Sequence, residues 1–216
     1  YGRFHTYSLK CQETVADIEF TTGKLGEAEK TLLLIADLIG RSLPTVDGQW
    51  LGNLAELAEL YRQQGRYQES KDLLSSTIGL ALQTGNVESS YLGKSYLGRV
   101  LADEGDYQHA ATVTKEVLDY RIANAATDPV SIYNTLLVLG AIYQAQGKLG
   151  DAESSFKEAY EGLVQAVGED NPSTLVATNN LGQIYEQIGL YDQAEPMLKT
   201  ALERLERVLG PTHPDT

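Results

Sequence analysis

Cysteine, methionine and tryptophan occur once each in these 216 residues, histidine three times, and lysine with arginine 17 times against 30 aspartates and glutamates. Each scarcity excludes something. The one thiol, Cys11, cannot close an internal disulfide, which points to a reducing compartment and away from disulfide-stapled secreted domains. As a small apolar residue on a first helix it needs no reactive role. His5, His109 and His213 stand far apart, and no HExxH, CxxC or glycine-rich phosphate loop is present. The chain therefore reads as non-enzymatic, with no cofactor and no metal. His213-Pro214-Asp215 holds the place that Asn171-Pro172-Ser173 holds 42 residues earlier, so it reads as a linker. A net charge of −13 lacks the clustered cations that displace counterions from a phosphate backbone, which argues against nucleic acid. No uncharged apolar run reaches 18 residues, so no membrane span is expected. The sequence begins at Tyr1 without a methionine and stops within a linker pattern, so it reads as a cytoplasmic fragment of a larger protein.

In place of these features the chain has a period. Gly23, Gly65, Gly105, Gly147 and Gly189 lie 42, 40, 42 and 42 residues apart. Four residues before the glycine stand Tyr61, Leu101, Tyr143 and Tyr185, and eight and seven before it stand Leu57-Ala58, Leu97-Gly98, Leu139-Gly140 and Leu181-Gly182. Two after it come Leu25, Tyr67, Tyr107, Leu149 and Tyr191, and five after it come Ala28, Ser70, Ala110, Ala152 and Ala194. Two helical patterns per period predict stacked helix pairs, each burying its apolar face only against its neighbours. The A helices are expected at about 6–22, 48–63, 88–103, 131–145 and 173–187, and the B helices at about 25–41, 67–83, 107–123, 149–166 and 191–208. Leu136, Leu139, Gly140 and Tyr143 follow the i, i+3, i+4, i+7 spacing of one core-facing stripe. Pro129, Pro172 and Pro214 are expected in the linkers, and Pro196 in the first turn of its helix, where a missing N–H costs little.

The run Asn179-Asn180-Leu181-Gly182-Gln183-Ile184-Tyr185-Glu186-Gln187-Ile188-Gly189-Leu190-Tyr191-Asp192-Gln193-Ala194-Glu195-Pro196 and the linker Leu209 to Thr216 resemble the tetratricopeptide repeat in the 42-residue form of kinesin light chains. Residues 47–216 carry the resemblance, while the first repeat has Glu19 where the others have Tyr or Leu. The resemblance implies an all-α, right-handed superhelix of five helix pairs, with repeats at about 5–46, 47–87, 88–129, 130–171 and 172–216 in one domain. It also implies core places for Tyr61, Tyr67, Tyr107, Tyr143, Tyr185 and Tyr191, leaving Tyr96 as a groove candidate.

In that family the residues ten, six and three before the repeat glycine line the concave face. Here they are Glu13, Asp17 and Phe20; Ala55, Glu59 and Arg62; Ser95, Arg99 and Ala102; Leu137, Ala141 and Gln144; Asn179, Gln183 and Glu186. The carboxylate clamp of chaperone-binding relatives is not implied, because Arg99 and Asn179 come without its lysine. The resemblance implies a non-catalytic scaffold that binds a protein or peptide, and the acidic field favours a basic or neutral one. A sensor and oligomerisation domain of a nucleotide-binding switch ATPase, and a regulatory arm of a caspase-like protease, are the alternative settings. Leu202, Leu205 and Leu209 form an apolar stripe on the last helix, so self-association through the C-terminal end is also expected.

Overall fold

The computed structural model describes residues 24, 26–27, 29–34, 48–124 and 128–209. Among them lie eight helices: α1 (Gly48–Gln63), α2 (Tyr67–Gln83), α3 (Val87–Glu104), α4 (Tyr107–Ala123), α5 (Pro129–Ala145), α6 (Leu149–Val167), α7 (Pro172–Gln187) and α8 (Tyr191–Leu209). Residues 26–27 and 29–34 are also helical, within the span expected for the first B helix, whereas the expected A helix at 6–22 lies outside the described residues. The architecture is the all-α solenoid of helix pairs. The chain divides after Gly105 into two compact units, Tyr1–Gly105 and Asp106–Thr216. In the first, α1, α2 and α3 pack on one another; in the second, α4 through α8 pack in sequence and α5 also touches α7.

The period has a backbone cause. Gly65, Gly105, Gly147 and Gly189 have φ of 74°, 90°, 73° and 83°, the left-handed region that glycine enters without a Cβ clash. There the glycine ends each A helix, and the next N–H reaches back to the carbonyl four residues before the glycine: Arg66 to Tyr61 at 2.8 Å, Lys148 to Tyr143 at 2.9 Å and Leu190 to Tyr185 at 2.8 Å. Helix starts are capped by side chains that the periodicity did not single out. Asn86, Asp106, Asp128 and Asn171 accept from the amides of Ser89, His109, Ser131 and Ser173.

Two proline positions differ slightly from expectation and one differs in kind. Pro129 and Pro172 are the first residues of α5 and α7 rather than linker residues, because the first helical amide has no intrahelical partner to lose. Pro196 is the sixth residue of α8, inside the helix and past its first turn, because α8 already starts at Tyr191. It therefore leaves one carbonyl of α8 without its intrahelical donor.

Small residues let the helices meet. Ala58, Ala110 and Ala152 are fully buried and Ala194 is 3% exposed, while Ser70, at the same repeat position, donates its hydroxyl to the Ala58 carbonyl at 2.6 Å. A Cβ placed on Gly140 would lie 2.6 Å from the Phe156 ring, one on Gly182 2.8 Å from Leu198, and one on Gly162 2.0 Å from the Tyr133 ring. The larger core joins Leu136 and Leu137 of α5, Phe156 and Leu163 of α6, and Leu181, Ile184 and Tyr185 of α7. Fully burying each large side chain of this kind is worth about 1.5–3 kcal/mol, and only the neighbouring helix provides the cover. Arg121 of α4 reaches α5, donating to the Ser131 carbonyl at 2.8 Å and to the Thr135 hydroxyl, and its burial lowers its pKa against the opposing pull of Asp128.

Of the six tyrosines expected in the core, Tyr185 is buried, Tyr61, Tyr67, Tyr107 and Tyr143 are half-buried, and Tyr191 is 66% exposed. The exception has a physical reason. A side chain two residues after the repeat glycine is covered by the following A helix, and among the described residues no helix follows α8.

Gly162→Ala should lower stability by about 1–3 kcal/mol through the Tyr133 clash. Gly79→Ala, inside α2 with nothing within 4 Å of the added carbon, should raise stability by about 0.5–1 kcal/mol. Thermal melts of the two variants check both signs, and equal losses would show that the α5–α6 contact is misplaced.

Candidate interaction face

The residues expected to line a groove divide into two sets with opposite properties. Glu13, Asp17 and Phe20 lie outside the described residues. In the first unit, Glu59 on α1 is 7% exposed. The fork of Arg62, one turn on, meets it with Nε to Oε2 at 2.8 Å and Nη2 to Oε1 at 2.7 Å. Gln63 Nε2 adds a bond to Oε1 at 3.4 Å, and Arg99 of α3 brings Nη2 within 3.1 Å of the same oxygen. Arg62 Nη1 crosses to Asp103 of α3. Two cations and two anions thus tie α1 to α3. The Glu59 hydrogen bond, opposed by burial and aided by the Glu59 and Asp103 charges, holds the Arg62 pKa above its ordinary value.

This arrangement changes what Glu59 can do. Both of its oxygens are occupied by arginines of its own chain, so its charge is spent inside the fold. Tyr96 packs against the core of Ala55, Ala58, Leu74 and Val100, with the Arg99 guanidinium 5.9 Å from its ring centroid. Ala55, between them on α1, is 1% exposed.

In the second unit, Gln144 of α5 and Asn179 of α7 are half-buried, and Gln183 and Glu186 of α7 are exposed. None of these four side chains has a hydrogen bond or ion pair among the described residues. The same holds for Asn134 on α5 and Asn180 on α7, both half-buried, which the repeat positions did not single out. Their spacing was a usable signal. Asn134 is three residues before Leu137 and seven before Ala141, and Asn180 is four after Val176 and three before Gln183, so each continues a helical stripe already marked. Leu137 is 8% exposed and joins the core, Ala141 is exposed, and Val176 is 45% exposed. Together these form a face of apolar and small side chains bordered by amides, with the carboxylate of Glu186 toward the end of α7. An amide both donates and accepts, so such a face can bond a peptide backbone whichever side it presents.

Among the described residues no three histidine, cysteine, aspartate or glutamate side chains are placed to hold a metal ion, and no helix is long and apolar enough to cross a membrane.

Residues 131–207 match the tetratricopeptide repeat family. No curated protein matches the sequence. Among solved structures, a Podosopora anserina chain described as a kinesin light chain with nearly identical TPR-like repeats aligns at 20% identity over 95% of this chain and 98% of its own, with a TM-score of 0.72. A Rap conjugation gene regulator of the plasmid pLS20, in complex with the Phr* peptide, aligns at 16% identity over 89% of this chain and 52% of its own, with a TM-score of 0.74. A Signal Transduction ATPase with Numerous Domains from Pyrococcus horikoshii, which carries a tetratricopeptide repeat sensor, aligns at 18% identity over 97% of this chain and 32% of its own, with a TM-score of 0.76. This chain thus spans about half of the Rap protein and a third of the ATPase. With the repeat glycines in left-handed turns and the small residues at the helix contacts, residues 131–207 match the tetratricopeptide repeat family and the chain has the fold of the kinesin light chain repeats.

Proposed function

We propose that the chain is a non-catalytic interaction scaffold and that it docks an extended peptide or protein segment along the A-helix face of α5 and α7. The observation that carries this is the set of half-buried amides without a partner in the fold: Asn134, Gln144, Asn179 and Asn180. A partly desolvated amide that makes no internal bond loses hydrogen-bonding energy unless a ligand restores it. The peptide held by the Rap protein of similar fold supports the reading. With Glu59 neutralised by its arginines, Glu186 is, among the described face residues, the carboxylate left to select a basic residue in an otherwise uncharged segment. The segment enters as a neutral or weakly basic strand, and no nucleic acid or membrane is involved. We further take residues 1–216 as one cytoplasmic domain of about five repeats belonging to a larger protein. The likeness to the ATPase with a tetratricopeptide sensor favours, as second reading, a ligand-sensing arm of such a switch; an array regulating a caspase-like protease has no observation in its favour.

Random dodecapeptides displayed on phage and selected on the chain should yield binders poor in aspartate and glutamate. Asn179→Ala and Gln183→Ala should each weaken a selected peptide by about 3- to 10-fold in fluorescence polarisation, the loss of roughly one hydrogen bond. Glu158→Lys, on α6, serves as the control. Peptides that lose binding with Glu158→Lys and keep it with Asn179→Ala would place the ligand on the B helices and overturn the reading.

The two glutamates should separate cleanly. Glu186→Lys should weaken binding of lysine- or arginine-containing peptides and flatten its salt dependence while the melt stays unchanged. Glu59→Ala should leave that salt dependence alone and lower stability by about 1–3 kcal/mol, because two arginines lose their buried acceptor.

A further inference from the structure

The period allows the turn of one repeat to be compared with that of another. In the first unit the cation after the repeat glycine, Arg66, stacks on the tyrosine four residues before that glycine, its guanidinium 4.0 Å from the Tyr61 ring centroid. Its charge is met twice. Glu69 accepts from Nε at 2.8 Å and from Nη2 at 2.6 Å, and Glu29, on the preceding B helix, accepts from Nη1 at 2.9 Å. In the second unit Lys148 and Tyr143 hold the same two positions, with the ammonium 5.8 Å from the ring centroid. Here the anions are missing. Asp151 stands where Glu69 stands yet forms no ion pair with Lys148, and the position of Glu29 is taken by Ala111 of α4. One turn on, α4 presents Lys115, whose ammonium lies 5.5 Å from the same centroid. Tyr143 packs against the core, and the amide of Lys148 is bound to the Tyr143 carbonyl at 2.9 Å, so ring and turn are held together. The hydrogen bond and charge of Tyr143, opposed by desolvation and aided by Asp151 and Asp119, hold the Lys115 pKa above its ordinary value. Among the described residues neither lysine has an ion pair.

We infer that the two lysines beside Tyr143 form a docking site for a carboxylate side chain carried on an acidic helix of a partner protein. The chain's own first unit shows what fits. There a helix-borne glutamate, Glu29, lies against the cation stacked on the tyrosine, and in the second unit the equivalent residue is an alanine. A lysine ammonium is a compact point charge, so the site selects the sign of the ligand's charge more than its geometry. Asp119 and Asp151 act on Lys115 without pairing to it, so an incoming carboxylate has no existing ion pair to displace. Contacts between exposed charges are individually weak. The site therefore biases which helix docks and does not enrich acidic residues among short flexible peptides. It is independent of the amide face of α5 and α7, whose proposed ligand is a neutral or weakly basic strand.

Amide NMR of the isotope-labelled 216-residue chain tests this, by titration to millimolar concentration with an alanine-rich helical peptide that has blocked ends, two glutamates four residues apart and no cation. Salt is set near 0.15 M, where repulsion from the net charge of −13 is screened beyond about 8 Å. The amide signals of Tyr143 and Lys148 should shift saturably, and the same peptide with glutamine in place of both glutamates should leave them still. Lys115→Glu combined with Lys148→Glu should weaken the glutamate peptide at least about 10-fold. Lys30→Glu combined with Lys157→Glu alters the net charge equally, also at exposed positions, and should leave binding within about twofold. Far-UV circular dichroism should be unchanged in both. Asn179→Ala should also leave this binding unchanged, which separates the site from the amide face. Amides that do not move, shifts shared by the glutamine peptide, or equal losses in the two double variants would overturn the proposal.

Discussion

The contact between a helix that gives up its side chain and a neighbour that fills the space is the constraint on which the rest of the structure depends. Phe156 lies on Gly140, Leu198 on Gly182 and Tyr133 on Gly162, each at a distance that a single added methyl would violate. Dispersion and burial reward this approach only at close range, so the helices pack here or do not pack at all. Left-handed Gly65, Gly147 and Gly189 serve the same contact by returning the chain sharply enough to bring α2 back against α1, α6 against α5 and α8 against α7. Within each unit the helices cover their neighbours, so no single pair holds a core of its own.

The A-helix faces are unequal. On α1 and α3 the charged residues turn inward upon one another, and the Glu59, Arg62, Arg99 and Asp103 cluster closes the gap between two A helices with hydrogen bonds that a ligand would have to break. On α5 and α7 the corresponding positions carry amides and small residues that leave the packing intact and their own hydrogen-bonding capacity unspent. The same repeat positions thus staple the fold in α1 and α3 and keep their hydrogen-bonding capacity in α5 and α7. The Glu59–Arg62 pair at i and i+3 satisfies itself, whereas the amides of α5 and α7 form no such pair among the described residues.

The last described helix obeys the same rule in reverse. Tyr191 and Leu202 have the chemistry of covered positions and the exposure of surface ones, because a side chain's burial in a solenoid is decided by the following helix and not by its own. Pro196 adds to this local economy: α8 tolerates a proline beyond its first turn because Ala194 and Ala201 still dock on α7, holding the helix in place on both sides of it.

The helix pairs were legible in the sequence. The spacing of Gly65, Gly105, Gly147 and Gly189 and the small residues at Ala58, Ala110, Ala152 and Ala194 are local requirements, set by backbone conformation and by the room between two helices, and a local requirement writes itself into residue type. Helices α1, α2 and α4 have the bounds that periodicity predicts, and α3 and α5 through α8 differ by a residue or two at their ends, where capping by Asn86, Asp128 and Asn171 decides. The roles of the face residues were not legible in the same way. Glu59 and Glu186 are the same residue type on the same kind of helix. Only the tertiary structure decides that the first is shared between Arg62 and Arg99 of two helices, while the second has no ion pair or hydrogen bond of its side chain among the described residues. Tyr67 and Tyr191 likewise hold one repeat position and differ in burial, because Tyr67 packs against a core that includes Val100 of α3, whereas among the described residues no helix follows α8. Period and composition are properties of the chain alone; charge neutralisation and cover are properties of pairs of residues some forty apart, and folding is what brings those pairs together.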